Sequence, residues 1–324
     1  MQTIDFFSII KPEGNMETSF DLIIIGAGPA GLTAAQYGAR ANLRTLLIEE
    51  GSVGGQSLNI TDLENYPGFQ NPVSGAELCS NMKVQADKFG SEFLSASVQS
   101  ISKQDNVFTI TTDSGVYSAY TVILATGAKH RKLGAKGEDD FIGRGVSYCA
   151  TCDGAFFKDK KIIVVGGGDT ACSEALFLAN LSDKIIMIHR KDRFRAQKAL
   201  ADRVLANKNI EVRFNTTCTA IKGDTKVESA ILMENGIQYE QDTDAVFIFT
   251  GILPQNRLAE GVTMDEAGYI VTDSHMMTSL QGLFAVGDVR TSPFRQVVTA
   301  CADGAIAAHY AGMLVDELKG EAYI

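Results

Sequence analysis

Phe20-Asp21-Leu22-Ile23-Ile24-Ile25-Gly26-Ala27-Gly28-Pro29-Ala30-Gly31 decides the fold. The short apolar run ending at Ile25 does not alternate, which marks a parallel strand buried on both faces. Gly-x-Gly-x-x-Gly follows, a helical pattern runs from Leu32 to Ala41, and a second strand from Thr45 to Ile48 ends at Glu49. Gly26 permits the tight turn, Gly28 lets the backbone approach a pyrophosphate, and Gly31 lets the helix pack on the strand. The helix N-terminus, with Pro29 and Ala30, offers free N–H groups to phosphate. Glu49 is placed to accept from a ribose hydroxyl, so this unit predicts a dinucleotide without a 2′-phosphate.

The same arrangement returns downstream. Lys161 to Val165 reads as a strand, Gly166-Gly167-Gly168-Asp169-Thr170-Ala171 as GxGxxA, then a helix to about Asn180 and a strand from Lys184 to Ile188. At the position matching Glu49 stands His189-Arg190-Lys191-Asp192-Arg193-Phe194-Arg195. The charge is reversed there. An acid repels a 2′-phosphate, whereas Arg and Lys pair with it. Gly166, Gly168, Asp169 and Thr170 are thus expected at a pyrophosphate, and His189, Arg190, Lys191 and Arg195 around the 2′-phosphate of NADPH.

Between and after these units the chain supplies connections. Residues 52–70 are loop-like, with Gly54-Gly55-Gln56 and Asn65-Tyr66-Pro67-Gly68; a helix covers roughly 75–89; residues 91–124 read as a β-meander. Val122 to Ala128 reads as a buried strand ending in Thr126-Gly127, and Ala245 to Gly251 repeats that ending. Lys129 to Gly137 reads as a linker. Two Thr-Gly ends bracketing the second unit predict an inserted domain at 129–251, within a discontinuous domain formed by 20–128 and 252–324. Residues 1–19 read as an N-terminal extension with no assigned function. A strand ending in Gly287-Asp288 sets a carboxylate against a ribityl hydroxyl, which ties this segment to the first unit. Residues 296–317, small and apolar at helical spacing, close the chain. The fold class is α/β, with two Rossmann-like dinucleotide-binding domains.

Between the two turns lies Cys149-Ala150-Thr151-Cys152-Asp153, a dithiol with a carboxylate beside it. Of six cysteines in 324 residues only these two form a motif; Cys172, Cys218 and Cys301 sit in apolar or strand-like contexts and are expected to be buried. With no secretory signal pattern, a reducing, cytoplasmic location is expected, where CxxC is catalytic or metal-binding. Zinc wants two further ligands at similar spacing, and His130 and His189 do not provide them, so no metal is expected. Asp153 can supply a proton to a leaving thiolate, or serve only the Asp153-Gly154 turn. A net charge of -10 argues against nucleic acid, and no apolar run approaches the roughly 20 residues of a membrane span.

Taken together, GAGPAG (26–31), GGQ (54–56), ENYPG (64–68), ATG (125–127), CATCDG (149–154), GGGDTA (166–171), HRK with a later Arg (189–195), FAVGDV (284–289) and RQ (295–296) resemble the low-molecular-weight, bacterial-type thioredoxin reductases over residues 20–317. The resemblance implies FAD on the first unit, with Gly55, Gln56, Asn65, Thr126, Gly127, Arg295, Gln296 and Val297 along it, and NADPH on the second. It implies transfer of reducing equivalents from NADPH to FAD, to the Cys149–Cys152 disulfide, and on to oxidised thioredoxin. Cys152 would be the thiol nearest the flavin, Cys149 the interchange thiol and Asp153 the acid. Arg144 and Phe156 would dock thioredoxin, and the chain would form a homodimer. Two departures stand out: Ala155 replaces a frequent Phe, and Lys191 replaces the second arginine, keeping the charge but losing the planar fork. The CxxC must meet both a flavin and an external protein, which in this family is met by rotating the NADPH domain about its crossings, here near Gly127 and Gly251.

Overall fold

The computed structural model describes residues 18–60 and 63–321. The N-terminal extension, as far as residue 17, lies outside the described residues. Two compact units form: one from the described residues up to Lys129 together with those from Pro254 onward, the other from His130 to Leu253.

The first unit opens with β1 (Ser19–Ile25), α1 (Pro29–Arg40), β2 (Thr45–Glu49) and α2 (Gly75–Lys88). Then come β3 (Glu92–Ser95), β4 (Val98–Gln104), β5 (Val107–Thr112), β6 (Gly115–Leu124) and β7 (Ala128–His130). β1 pairs in parallel with β2 and β6, Ile24 lying opposite Leu47 and Ile123. β3 extends the parallel set beside β2, and β4, β5 and β6 form an antiparallel meander. Leu22 and Ile24 pack with Leu32, Ala34 and Leu78 from the helices, while Ile23 and Ile25 pack on the other side with Phe108, Ile110 and Ile270. Both faces are covered, which is why the strand does not alternate. The strand expected from Val122 to Ala128 proves to be the end of the ten-residue β6, and the chain leaves the sheet after Leu124.

The second unit holds β8 (Val146–Ser147), α3 (Ala150–Asp153), β9 (Ile162–Gly166), α4 (Asp169–Leu178), β10 (Ile185–Ile188), α5 (Lys198–Ala206) and β11 (Ile210–Arg213). It continues with β12 (Thr216–Gly223), β13 (Val227–Glu234), β14 (Ile237–Asp242) and β15 (Ala245–Phe249). Five parallel strands lie in the order β11-β10-β9-β15-β8. Ile162 and Val164 face Ala171, Ala175 and Leu178 of α4; Ile163 and Val165 face Ile221, Ala230 and Leu232 of the β12–β14 meander. That meander, α5 and β11 occupy a stretch for which the sequence suggested no element.

The chain then runs through β16 (Ile252–Pro254), β17 (Leu283–Ala285) and α6 (Val297–Lys319). β17 pairs in parallel with the end of β6, Ala285 opposite Leu124, so this segment completes the first sheet. α6 lies close on α1: a Cβ on Gly304 would sit 2.2 Å from the Ala30 carbonyl oxygen. α6 is long and apolar enough to cross a membrane by length and composition only, with Asp303, Asp316, Glu317 and Lys319 interrupting it. Its apolar face, Ala307, Ala308, Ala311 and Val315, is buried in the core of the first unit.

Candidate active site

The first glycine turn is built by close approach. Gly26 has φ 107°, and a Cβ there would lie 2.3 Å from the Ala125 carbonyl oxygen. A Cβ on Gly31 would lie 1.8 Å from the Gly26 carbonyl oxygen. Gly28, between them, would meet nothing within 4 Å, and as N-cap of α1 it leaves the helix without a side-chain cap. Pro29 and Ala30 begin the helix. The turn therefore offers open space in front of uncapped N–H groups, which is what a phosphate needs. Glu49 braces it, accepting from the Ala27 N–H at 2.7 Å and the Gly51 N–H at 2.8 Å.

Most of the other first-unit candidates converge on this turn or on one another. Gly54 donates to the Ala27 carbonyl at 2.8 Å, and Gly55 lies against Gly28. The Gln56 amide donates to the Ala128 carbonyl. Thr126 and Gly127 hold Gln255, the threonine hydroxyl donating to its carbonyl at 2.7 Å and its N–H donating to the Gly127 carbonyl at 2.9 Å. Asn65 donates to the Gln296 side chain at 3.0 Å, and Gln296 and Val297 start α6. Gly287 faces Ala30. Burial pushes the Asp288 carboxyl up, and nearby Arg295 pulls it back. Arg295 lies 4.1 Å from the ring centroid of Tyr269, and its buried Nε has no hydrogen-bond partner among the described residues.

The second turn repeats the design with opposite charge. A Cβ on Gly166 would meet Ala171 and the Phe249 carbonyl, whereas one on Gly168, the uncapped N-cap of α4, would meet nothing. Asp169 accepts from the Gln197 N–H at 2.7 Å, and the Arg195 N–H donates to the Gly167 carbonyl at 2.7 Å, so the basic loop is fastened to the turn. Thr170, Arg190, Lys191 and Arg195 are exposed. His189 differs: its ring is buried against Gly167, and its Nε2 has no hydrogen-bond partner among the described residues. Burial, then Arg195, Arg190 and Lys191, hold its pKa low, so it is a neutral floor beneath the turn.

Cys149 and Cys152 are joined in a disulfide, with Cα atoms 5.3 Å apart. The short α3 carries them, and α4 supports it: a Cβ on Gly154 would touch Leu178, Leu181 and Phe177. Ser147 organises the turn, donating to Asp153 at 2.6 Å and accepting from the Cys149 N–H at 3.1 Å. Burial pushes the Asp153 carboxyl up, and the Ser147 hydroxyl pulls it back. Glu174 of α4 accepts from the Ala150 N–H at 3.1 Å. The Thr151 hydroxyl lies 3.4 Å from Cys149 Sγ. Phe156 and Arg144 are exposed, the arginine held by the carbonyls of Asp140 and Thr225.

Once reduced to a dithiol, this pair, beside a partly buried acid in a chain with two open glycine turns, can exchange with an external disulfide. Residues 20–304 match the family described as pyridine nucleotide-disulphide oxidoreductase. The chain belongs to that family. Within it, the chain is 55% identical over 306 residues to the thioredoxin reductase of Treponema pallidum, covering 94% of this chain and all of the relative. It is 44% identical to that of Bacillus subtilis, over 94% of this chain and 97% of the relative. A solved thioredoxin reductase from Streptococcus pyogenes superposes with a TM-score of 0.89 at 42% identity, covering 93% of this chain and 99% of that one. One from Giardia duodenalis gives 0.86 at 37% identity, covering 91% and 98%. These similarities to thioredoxin reductases bear out the resemblance read from the sequence.

Family membership implies a flavin and a pyridine nucleotide. The residues fit both groups: each turn leaves room where a Cβ would have stood, and each site holds a buried nitrogen without a partner among the described residues, on Arg295 and His189 respectively. Ser147, Glu174 and Tyr269 were not singled out from sequence. Glu174 alone carried a signal, being a charged residue on the apolar Ala171–Ala175–Leu178 face of α4.

Proposed function

We propose that this chain is an NADPH-dependent thioredoxin reductase that works as a homodimer in the cytoplasm. FAD is held by residues 20–128 and 252–324, NADPH by residues 129–251. The observation that carries the proposal is the Cys149–Cys152 disulfide beside a partly buried Asp153, in the unit whose glycine turn bears a basic loop. The names of the relatives support the choice of thioredoxin.

The flavin supplies the link between two-electron hydride chemistry and disulfide reduction. What the chain contributes is placement, charge and proton control. Uncapped N–H groups at α1 and α4 receive the two pyrophosphates. Arg190, Lys191 and Arg195 select the 2′-phosphate, and Glu49 rejects it at the first site. Asn65, Gln56, Gln296 and Arg295 would line the flavin, and Asp288 would hold its ribityl chain.

Once reduced, the pair is a dithiol. The Cys149 thiolate attacks one sulfur of oxidised thioredoxin, forming a mixed disulfide and releasing one thioredoxin thiolate. The Cys152 thiolate then attacks Cys149 Sγ, reforming the Cys149–Cys152 bond and releasing the second thiolate. Each released thiolate takes a proton. Asp153, raised by burial, is the group that delivers it. Arg144 and the exposed Phe156 dock the incoming protein.

The test is NADPH oxidation by the purified protein with oxidised thioredoxin, with glutathione disulfide, and with neither. Consumption that requires thioredoxin is the expected result. Consumption with glutathione disulfide alone, or with no acceptor, contradicts the proposal.

A further inference from the structure

Glu174 has no part in the chemistry just described, yet it meets the redox turn directly. It lies on α4, and its Oε2 accepts from the Ala150 N–H at 3.1 Å. Its carboxylate also takes the Thr151 N–H. These are the first two N–H groups of α3, immediately after Cys149. At the head of a CxxC turn, such free N–H groups ordinarily steady a thiolate and make its thiol more acidic. Here both are spent on a carboxylate, which adds a negative charge of its own. Two carboxylates meet this turn, and they are arranged differently. Asp153 is held by the Ser147 hydroxyl, whereas Glu174 is held by the backbone that would otherwise serve the sulfur.

We propose that Glu174 is a positioning residue that withholds the Ala150 and Thr151 N–H groups from the Cys149 thiolate and so keeps the pair strongly reducing. The link is thermodynamic. Whatever stabilises the thiolate stabilises the reduced state and makes the couple more oxidising. A carboxylate capping the turn works the other way, which suits a dithiol that must pass electrons on. It also ties the redox turn to α4, the helix whose N-terminus forms the second nucleotide turn. The inference rests on Cys149 and Cys152 being the working redox pair.

The test uses the full-length holoprotein and its Glu174→Gln and Glu174→Asp variants. Two readouts are taken: the pH profile of iodoacetamide labelling at Cys149 after reduction, read by peptide mass, and the dithiol–disulfide equilibrium in glutathione buffers at about pH 9.5, above the usual thiol range. Glutamine keeps the size and one acceptor but removes the charge. It is expected to move the labelling profile about one unit lower and shift the equilibrium about tenfold toward the dithiol, about 30 mV. Aspartate keeps the charge and is expected to hold the profile near that of the unaltered protein. An unmoved Glu174→Gln profile, or equal shifts in both variants, overturns the proposal, because a merely mechanical brace would leave thiol acidity alone or respond to shape. If the unaltered protein neither labels at Cys149 nor equilibrates with glutathione, the redox reading of the pair itself is overturned, and this proposal with it.

Discussion

Asp153 carries two opposed demands. Its carboxyl is pushed up by burial and only partly restored by Ser147. A raised carboxyl favours the fold in its protonated form: that contribution is complete below the ordinary carboxylate range and is lost as pH rises through the raised value. At neutral pH the protein therefore holds this carboxylate at some cost to stability. Asp153→Asn should gain in melting temperature relative to the unaltered protein as pH rises from about 4 to about 8. Turnover with thioredoxin should fall about 100-fold in the same variant. Normal turnover would rule out the proton-donor role. The remaining thiols give a contrasting case. Burial pushes Cys79 and Cys172 up to about 11 and Cys218 up to about 12, and raises Cys301 as well. All four are buried, as expected for Cys172, Cys218 and Cys301. After reduction, iodoacetamide at about pH 8 should label Cys149 and Cys152 quickly in the native protein, and the other four about 100-fold more slowly or only on unfolding. Fast labelling of a third cysteine in native protein would count against this packing.

At the scale of the element, the two glycine turns separate fold from ligand. Gly26 adopts a left-handed φ and touches the Ala125 carbonyl, so Gly26→Ala should cost about 2–4 kcal/mol of stability. Gly28 has an extended conformation that alanine accepts, with open space where a Cβ would go. Gly28→Ala should stay within about 0.5 kcal/mol of the unaltered fold yet lower flavin affinity about tenfold or more. Thermal melting of the flavin-free protein and flavin content on purification check the pair. A destabilised Gly28→Ala, or one with full flavin content, would show that the open turn is not a ligand site. These turns were legible because their chemistry is local: strand, turn and helix follow one another without a break, from Ser19 to Arg40 in the first unit and from Ile162 to Leu178 in the second. Ser147 and Glu174 were not, since one acts through an ordinary hydroxyl and the other reaches a turn 24 residues away. The β12–β14 meander was missed for another reason. The central strand β13 buries four residues in a row, from Ser229 to Leu232, and its register against β12 shifts, so no clean period of two runs through the meander.

At the scale of the molecule, one chain presents two nucleotide-shaped turns of opposite charge, each in its own compact unit. Glu49 closes the first turn, and Arg190, Lys191 and Arg195 flank the second. Replacing those three cations with alanine should lower kcat/KM for NADPH about 100-fold and leave that for NADH within about threefold. Equal losses for both nucleotides would mean the loop supports the fold rather than choosing the cofactor. The repeat itself was visible in the sequence because each unit must satisfy the same pyrophosphate geometry. The support each unit receives was not, because β9 rests on a meander and β1 on a helix layer completed by α6, some 270 residues away.

The most direct measurement follows the flavin absorbance band through one anaerobic cycle, in the unaltered protein and in Cys149→Ser. NADPH is added first, then oxidised thioredoxin. NADPH should bleach the band in both proteins, and thioredoxin should restore it only where Cys149 is present. Restoration at the same rate in Cys149→Ser would contradict the assignment of Cys149 as the thiol that passes electrons to thioredoxin.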